Sequence, residues 1–367
     1  FIHKKTPDYA FYKPLLNGGN HELSIIENIE VNKNIEKGYN KIYYGAPGTG
    51  KSYRVNEITE KLERKFWERI TFHPEFDYAS FVGGYKPISE QVKVSKEGEE
   101  EKFSDEIKYK FSAQAFINIY VKAWQGIEDD NNYFLVIEEI NRGNCAEIFG
   151  DIFQLLDRNS TYTVTPSSEL NTYLTKELGV EHPGIKNGLR LPENLIILAT
   201  MNTSDQSLFP MDSAFKRRWD WEYIPINYKK EYTDHEGNSK ENKSFEYEII
   251  DNDENKLFDW ISFIKTINNI IKSNENLGMD KCIGNFFVKP NDDKTIALEV
   301  FINKVVFYLW NDVFKDEEDS ENIFPKGIFY EDFFPIKEKG TEALKLVVDK
   351  INTIARNKNF DTITIEE

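Results

Sequence analysis

Ile42-Tyr43-Tyr44, followed by Gly45-Ala46-Pro47-Gly48-Thr49-Gly50-Lys51-Ser52, decides how the rest of the chain is read. Gly45 through Ser52 fit G-x-x-x-x-G-K-[S/T], a loop that joins a buried strand to a helix and wraps its backbone around phosphate. The glycines allow close approach, so that successive N–H groups and the N-terminus of the next helix point at anionic oxygens. On this reading Gly45, Ala46, Pro47, Gly48, Thr49, Gly50, Lys51 and Ser52 form the cradle. Lys51 contacts the β- and γ-phosphates and Ser52 ligates Mg2+. The apolar run before the loop and the amphipathic stretch after it are the flanks that such a loop needs.

Outward from this loop, strand patterns alternate with helical ones. Strands are expected at Lys41–Tyr44, Arg69–Phe72, Tyr133–Ile137, Leu195–Thr200 and Trp221–Ile226, and helices at Lys51–Phe66, Ser112–Trp124 and Asn144–Leu156. That alternation predicts an α/β fold, a parallel sheet flanked by helices on both faces. Runs such as Phe134-Leu135-Val136-Ile137 suit strands buried on both sides. Charged residues over Glu90–Lys110 suggest an inserted hairpin, and the polar stretch Tyr228–Asn255 reads as a domain boundary. Beyond it, Leu257, Ile261, Ile264, Ile267 and Ile271 recur at helical spacing, as do apolar residues in Ile296–Phe314 and Thr341–Arg356. The expected division is residues 1–37 as a linker or the tail of an upstream domain, with a short helix near Leu23–Ile29; 38–227 as the nucleotide-binding α/β domain; and 228–367 as a smaller α-helical lid. The start at Phe1 rather than Met leads to the expectation that the chain is a fragment with an upstream domain missing.

Two further motifs lie at strand ends. Tyr133-Phe134-Leu135-Val136-Ile137 runs into Glu138-Glu139, an apolar strand ending in two carboxylates. The first, Glu138, is placed to hold Mg2+ and the second, Glu139, to polarise the attacking water. Asp is usual at the first position, and the longer Glu alters the reach to the metal. Leu195–Thr200 leads into Met201-Asn202-Thr203-Ser204-Asp205. Asn202 there is placed to reach the γ-phosphate and the lytic water. A rival comparison, with the N-K-x-D guanine reader, is less favoured because a strand end at the switch point lies beside phosphates rather than the base. Finally, Lys216-Arg217-Arg218 stands out as a cationic run. Arg217 or Arg218 suits stabilisation of transition-state charge, supplied from a neighbouring subunit.

The chain has 367 residues, of which 46 are basic and 63 acidic, for a net charge of −17. At 40% hydrophobic and 14% aromatic it is rich enough to build a core, which excludes global disorder. Its acidity argues against a surface that coats nucleic acid. No apolar run approaches the roughly 20 residues needed to span a bilayer, and no secretory signal is visible. Cys145 and Cys282 cannot make a disulfide framework, and His3, His21, His73, His182 and His235 show no metal spacing. A reducing cytoplasm is expected.

Together, Gly-Ala-Pro-Gly-Thr-Gly-Lys-Ser, Ile-Glu-Glu-Ile-Asn-Arg-Gly-Asn (137–144), Met-Asn-Thr-Ser-Asp-Gln-Ser (201–207) and Phe-Lys-Arg-Arg-Trp (215–219) resemble the McrB-type AAA+ proteins of modification-dependent restriction systems. Residues 71–78 and 81–87 are similar to that family's segment after the second strand. Ile283-Gly284-Asn285-Phe286-Phe287 is similar to its Ile-Gly-His-x-x-Phe stretch, with Asn285 in place of His. The resemblance implies a homo-oligomer, a hexameric ring with nucleotide between subunits. It implies GTP rather than ATP, an McrC-like partner that stimulates hydrolysis and carries the nuclease, and DNA handled by an N-terminal domain and the ring pore. It also implies Glu139 as catalytic carboxylate, Asn202 as sensor, Arg217 or Arg218 as the finger acting in trans, and Asn141 and Arg142 near the nucleotide at the interface. The only arginine after Arg218 is Arg356, so the second sensor arginine of many relatives has no evident counterpart. A nuclease within this chain is not expected, since Pro7-Asp8 lacks a D/E-x-K partner. The rival functions are an ATP-dependent protein remodeller of MoxR type and a nucleotide-gated scaffold with little turnover.

Overall fold

A computed structural model describes residues 38–93, 103–129, 131–158, 161–205, 209–233 and 237–366. The linker at 1–37, with its expected helix at Leu23–Ile29, lies outside them.

The first seven strands are β1 (Asn40–Gly45), β2 (Trp67–Thr71), β3 (Gly83–Lys93), β4 (Phe103–Ala113), β5 (Tyr133–Glu138), β6 (Leu195–Asn202) and β7 (Asp220–Tyr223). Five of them form one sheet in the order β2-β5-β6-β1-β7, with every pairing parallel. Strands β3 and β4 form a separate antiparallel hairpin, longer than the charge run over 90–110 implied.

Strand alternation sorts the sheet's side chains onto two faces. Tyr43, Phe134, Val136, Ile196 and Leu198 share a small core with Val55 of helix α1 (Lys51–Thr59). Ile42, Leu135, Ile137, Ile197 and Ala199 point the other way, into a larger core. The remaining helices of this part are α2 (Tyr78–Phe81), α3 (Ala115–Gln125), α4 (Cys145–Phe149), α5 (Ser168–Leu178) and α6 (Ser213–Lys216).

Several boundaries differ from expectation. Helix α1 stops at Thr59, and the chain turns through a short 3-10 segment at Arg64–Phe66 to enter β2. The helix expected from Ser112 starts at Ala115, because Ser112 and Ala113 still pair with Gly84 and Gly83 in the hairpin. The helix expected over Asn144–Leu156 breaks at Gly150, where φ is +49° and a Cβ would sit 3.0 Å from the Tyr78 ring. The segment after Gly150 continues as a 3-10 helix to Leu156.

Beyond Tyr223 a different core begins. Ile249, Trp260, Ile264, Ile267, Phe301, Val305, Leu344, Val348 and Ile351 belong to one buried cluster. Helix α7 (Trp260–Ser273), a wide-turned helical stretch over residues 298–313 and the C-terminal helix Thr341–Asn357 build most of it. Leu257 is not helical as its spacing suggested. It lies in Lys256–Asp259, which pairs with Glu248–Ile250, and Thr295–Ala297 completes a three-stranded sheet. Ala46 of the phosphate loop also joins this cluster, so the loop is where the cores meet.

Candidate functional site

The loop between β1 and α1 takes the conformation that its glycines permit. Gly48 and Gly50 have φ of +77° and +93°, the left-handed region where a side chain is disfavoured. A Cβ on Gly48 would also lie 2.5 Å from the Phe287 backbone. The segment 284–287 packs directly on this loop: Gly284 N–H donates to Pro47 O at 2.9 Å and Phe286 N–H to Gly48 O at 2.7 Å. Thr49 Oγ1 bonds Ala46 O, and the buried Lys51 folds back, its Nζ donating to Ala46 O at 2.8 Å and Gly45 O at 3.2 Å. A buried ammonium held on backbone carbonyls beside a helix N-terminus is a site made for an anion.

Strand periodicity explains the rest. Phe134, Val136 and Glu138 share a face of β5, and Ile196, Leu198 and Thr200 share the same face of β6, the face covered by α1. Ile137 pairs with Ala199, so Glu138 and Thr200 emerge side by side under Ser52. Glu138 Oε2 accepts from Ser52 Oγ at 2.9 Å and from Thr200 Oγ1 at 2.5 Å. Thr200 also accepts the Glu139 N–H at 3.2 Å. Glu139 itself has φ of +54°, an uncommon state for a residue with a side chain and one that gathers at functional sites. Its Oε1 accepts from Asn202 Nδ2 at 2.6 Å, and Asn141 Nδ2 donates to Asn202 O at 3.0 Å. Arg142 Nε stands 4.0 Å from Glu139 Oε2.

Lys51, Ser52, Glu138, Glu139, Asn141, Arg142 and Asn202 are thus gathered at the C-terminal end of the sheet. Thr200 is a member that the motifs missed; its trace in the sequence is one hydroxyl at the end of an otherwise apolar run. Arg69, 3.5 Å from Glu138 Oε1, was also missed.

Arg217 and Arg218 are not brought to this end. They follow α6 and precede β7, whose register with β1 pairs Asp220 with Lys41, so they sit at the opposite end of the sheet from Gly45. Arg218 is held within the chain: its Nη1 donates to Ala214 O at 2.7 Å and its guanidinium lies 4.1 Å from the centre of the Phe153 ring. Arg217 is exposed. Both line a cleft with Arg158, Asp157 and Asp220. Arg158 donates to Asn40 Oδ1, Pro192 O and Leu195 O, and burial pushes its pKa down to about 10.

The residues fit Mg2+. Ser52 Oγ and Glu138 Oε2 are hard oxygens converging beside the phosphate loop, the donor type that this ion takes together with phosphate oxygens. No three His, Cys, Asp or Glu side chains converge into a metal cage among the described residues. No described helix is long and apolar enough to cross a membrane. Cys145 and Cys282 are free thiols, both buried, and burial pushes their pKa values up to about 12 and about 11.

A parallel sheet with this loop and paired carboxylates defines a P-loop nucleoside triphosphatase of AAA type. Residues 41–219 match the AAA domain of the dynein-related subfamily. The Type II restriction enzyme BsuMI component YdiS of Bacillus subtilis (strain 168) is 38% identical over 295 residues, covering 75% of this chain and 79% of that protein. The Type IV methyl-directed restriction enzyme EcoKMcrB subunit of Escherichia coli (strain K12) is 26% identical over 204 residues, 53% of this chain and 36% of that subunit. The chain belongs to the AAA+ family, in its branch of McrB-type restriction subunits.

Proposed function

We propose that this chain is the GTP-hydrolysing ring motor of an McrBC-like restriction system, driving DNA translocation for cleavage by a partner nuclease of McrC type. The observation that carries the reading is the split of the hydrolytic groups between the two ends of one sheet: loop and carboxylates at one, an exposed arginine at the other. A ring, hexameric by family resemblance, would bring one subunit's Arg217 to the next subunit's phosphate loop. The likeness to two restriction components supports the biological setting. DNA is engaged through the ring pore and an N-terminal domain, and the setting is the prokaryotic cytoplasm.

In this scheme the loop N–H groups and Lys51 bind the triphosphate of GTP. Ser52 and Glu138 hold Mg2+, which supplies charge neutralisation across the phosphates when bound. Glu139 accepts the proton of the attacking water, and Asn202, already hydrogen-bonded to it, fixes its direction. Asn141 and Arg142 brace this pair at the interface. Arg217 is the finger, because Arg218 is committed to Ala214 and Phe153. Residues 38–227 form the base and 228–367 the lid, which leans on the loop through 284–287.

Turnover of GTP and ATP, measured with and without the partner nuclease, tests the proposal. Faster GTP turnover stimulated by the partner is expected. Preference for ATP would favour a protein remodeller, and no turnover under any condition would overturn the motor.

A further inference from the structure

Arg69 belongs to none of the motifs, yet it reaches the metal-side carboxylate. It lies on β2, whose Thr71 pairs with Glu138, so Arg69 and Glu138 are diagonal neighbours on one sheet face. Its Nη1 stands 3.5 Å from Glu138 Oε1. Its Nη2 is anchored on helix α1, donating to Asn56 Oδ1 and to Thr59 Oγ1. The Trp67 ring lies 5.7 Å from the guanidinium.

The two oxygens of Glu138 therefore have separate partners. Oε2 takes the hydroxyls of Ser52 and Thr200, while Oε1 faces Arg69. An Asp at the same strand end is one methylene shorter and reaches less far toward Arg69. The Arg69 side chain is 27% exposed and that of Glu138 13%, so solvent screens the pair only in part. A cation so close competes with a metal ion for the same carboxylate.

We propose that Arg69 is a positioning residue that holds Glu138 and, by neutralising it, raises the Mg2+ concentration that the site needs to take up nucleotide. The inference rests on the phosphate-loop reading above. It predicts a site in which the divalent ion binds on Oε2 against the opposing charge of an internal cation on Oε1.

The test is an Mg2+ titration of the full chain with a fluorescent, non-hydrolysable GTP analogue, which reads the ion concentration at half-maximal binding and requires no turnover. Arg69→Met should lower that midpoint on the order of tenfold. Arg69→Lys, which keeps the charge, should stay within about twofold of the wild type. Glu138→Asp should lower the midpoint as well, and adding Arg69→Met to it should lower it no further, because the coupled pair is already broken. Glu138→Asp keeps the inference testable even if Arg69→Met fails to fold. An unchanged midpoint in either folded single variant, or full additivity in the double, would overturn the proposal. Wild-type chain that shows no Mg2+-dependent binding would instead remove the nucleotide-site reading beneath it.

Discussion

The two ends of the central sheet are built on opposite plans. At the C-terminal end, Ser52, Glu138, Thr200, Glu139, Asn202 and Asn141 are joined by hydrogen bonds inside one chain. At the other end, Arg217 is exposed beside a cleft that also holds Arg158 and Arg218. The first end is preorganised for an anion and a water; the second offers a cation outward. On the proposed reading neither end is a whole site: each is half of one, and the halves are separated by the length of the strands.

The largest break in this comparison comes from Lys51→Ala. Loss of the ammonium that bonds Gly45 and Ala46 should abolish turnover and weaken nucleotide binding by at least about a hundredfold, read by titration with a fluorescent nucleotide. Arg217→Ala comes next: binding should persist while turnover of the assembled ring falls on the order of a thousandfold. Glu139→Gln should likewise spare binding and lower single-turnover hydrolysis by about a hundredfold or more. Persistent turnover there would move the water-activating role to Glu138.

Stability rather than catalysis should answer to the remaining changes. Asn285 is buried; its Nδ2 donates to Asn227 O at 2.6 Å and to Ser244 Oγ at 3.0 Å, and its Oδ1 accepts the Asn227 N–H. Asn285→Ala should cost about 2 kcal/mol in a urea melt, since it leaves buried backbone groups unmatched. Arg218→Ala should cost about 1 kcal/mol through its lost contact with Phe153, with a smaller fall in turnover than Arg217→Ala. Equal catalytic losses for the two arginines would blur the contrast drawn between them.

What the sequence disclosed follows the range of the forces involved. The phosphate loop and the two strand ends were legible because each is a contiguous run whose residues act where the chain places them. Thr200 and Arg69 were not, because their roles depend on the register of β5 against β6 and β2, which no local pattern encodes. The small sheet built from Glu248–Ile250, Lys256–Asp259 and Thr295–Ala297 escaped for the same reason: each strand is short, and pairing rather than periodicity creates it. Gly150 ended a helix that spacing alone had continued to Leu156, because its φ of +49° lies in the left-handed region, close against the Tyr78 ring. Helix α5, with Ser167 accepting the Leu170 N–H as its cap, carried a start signal that went unread. The Asn that replaces His at 285 looked like a departure, yet it is fully bonded between Asn227, Ser244 and Trp260.

The central claim is that one subunit's Arg217 completes the site that another subunit's Glu139 serves. Mixing Arg217→Ala chains with Glu139→Gln chains tests it directly, since each is inactive alone. At equal proportions random assembly leaves about a quarter of the interfaces intact, so turnover should recover to roughly that fraction of wild type. Absence of recovery at any ratio, with both variants binding nucleotide and assembling, would contradict it.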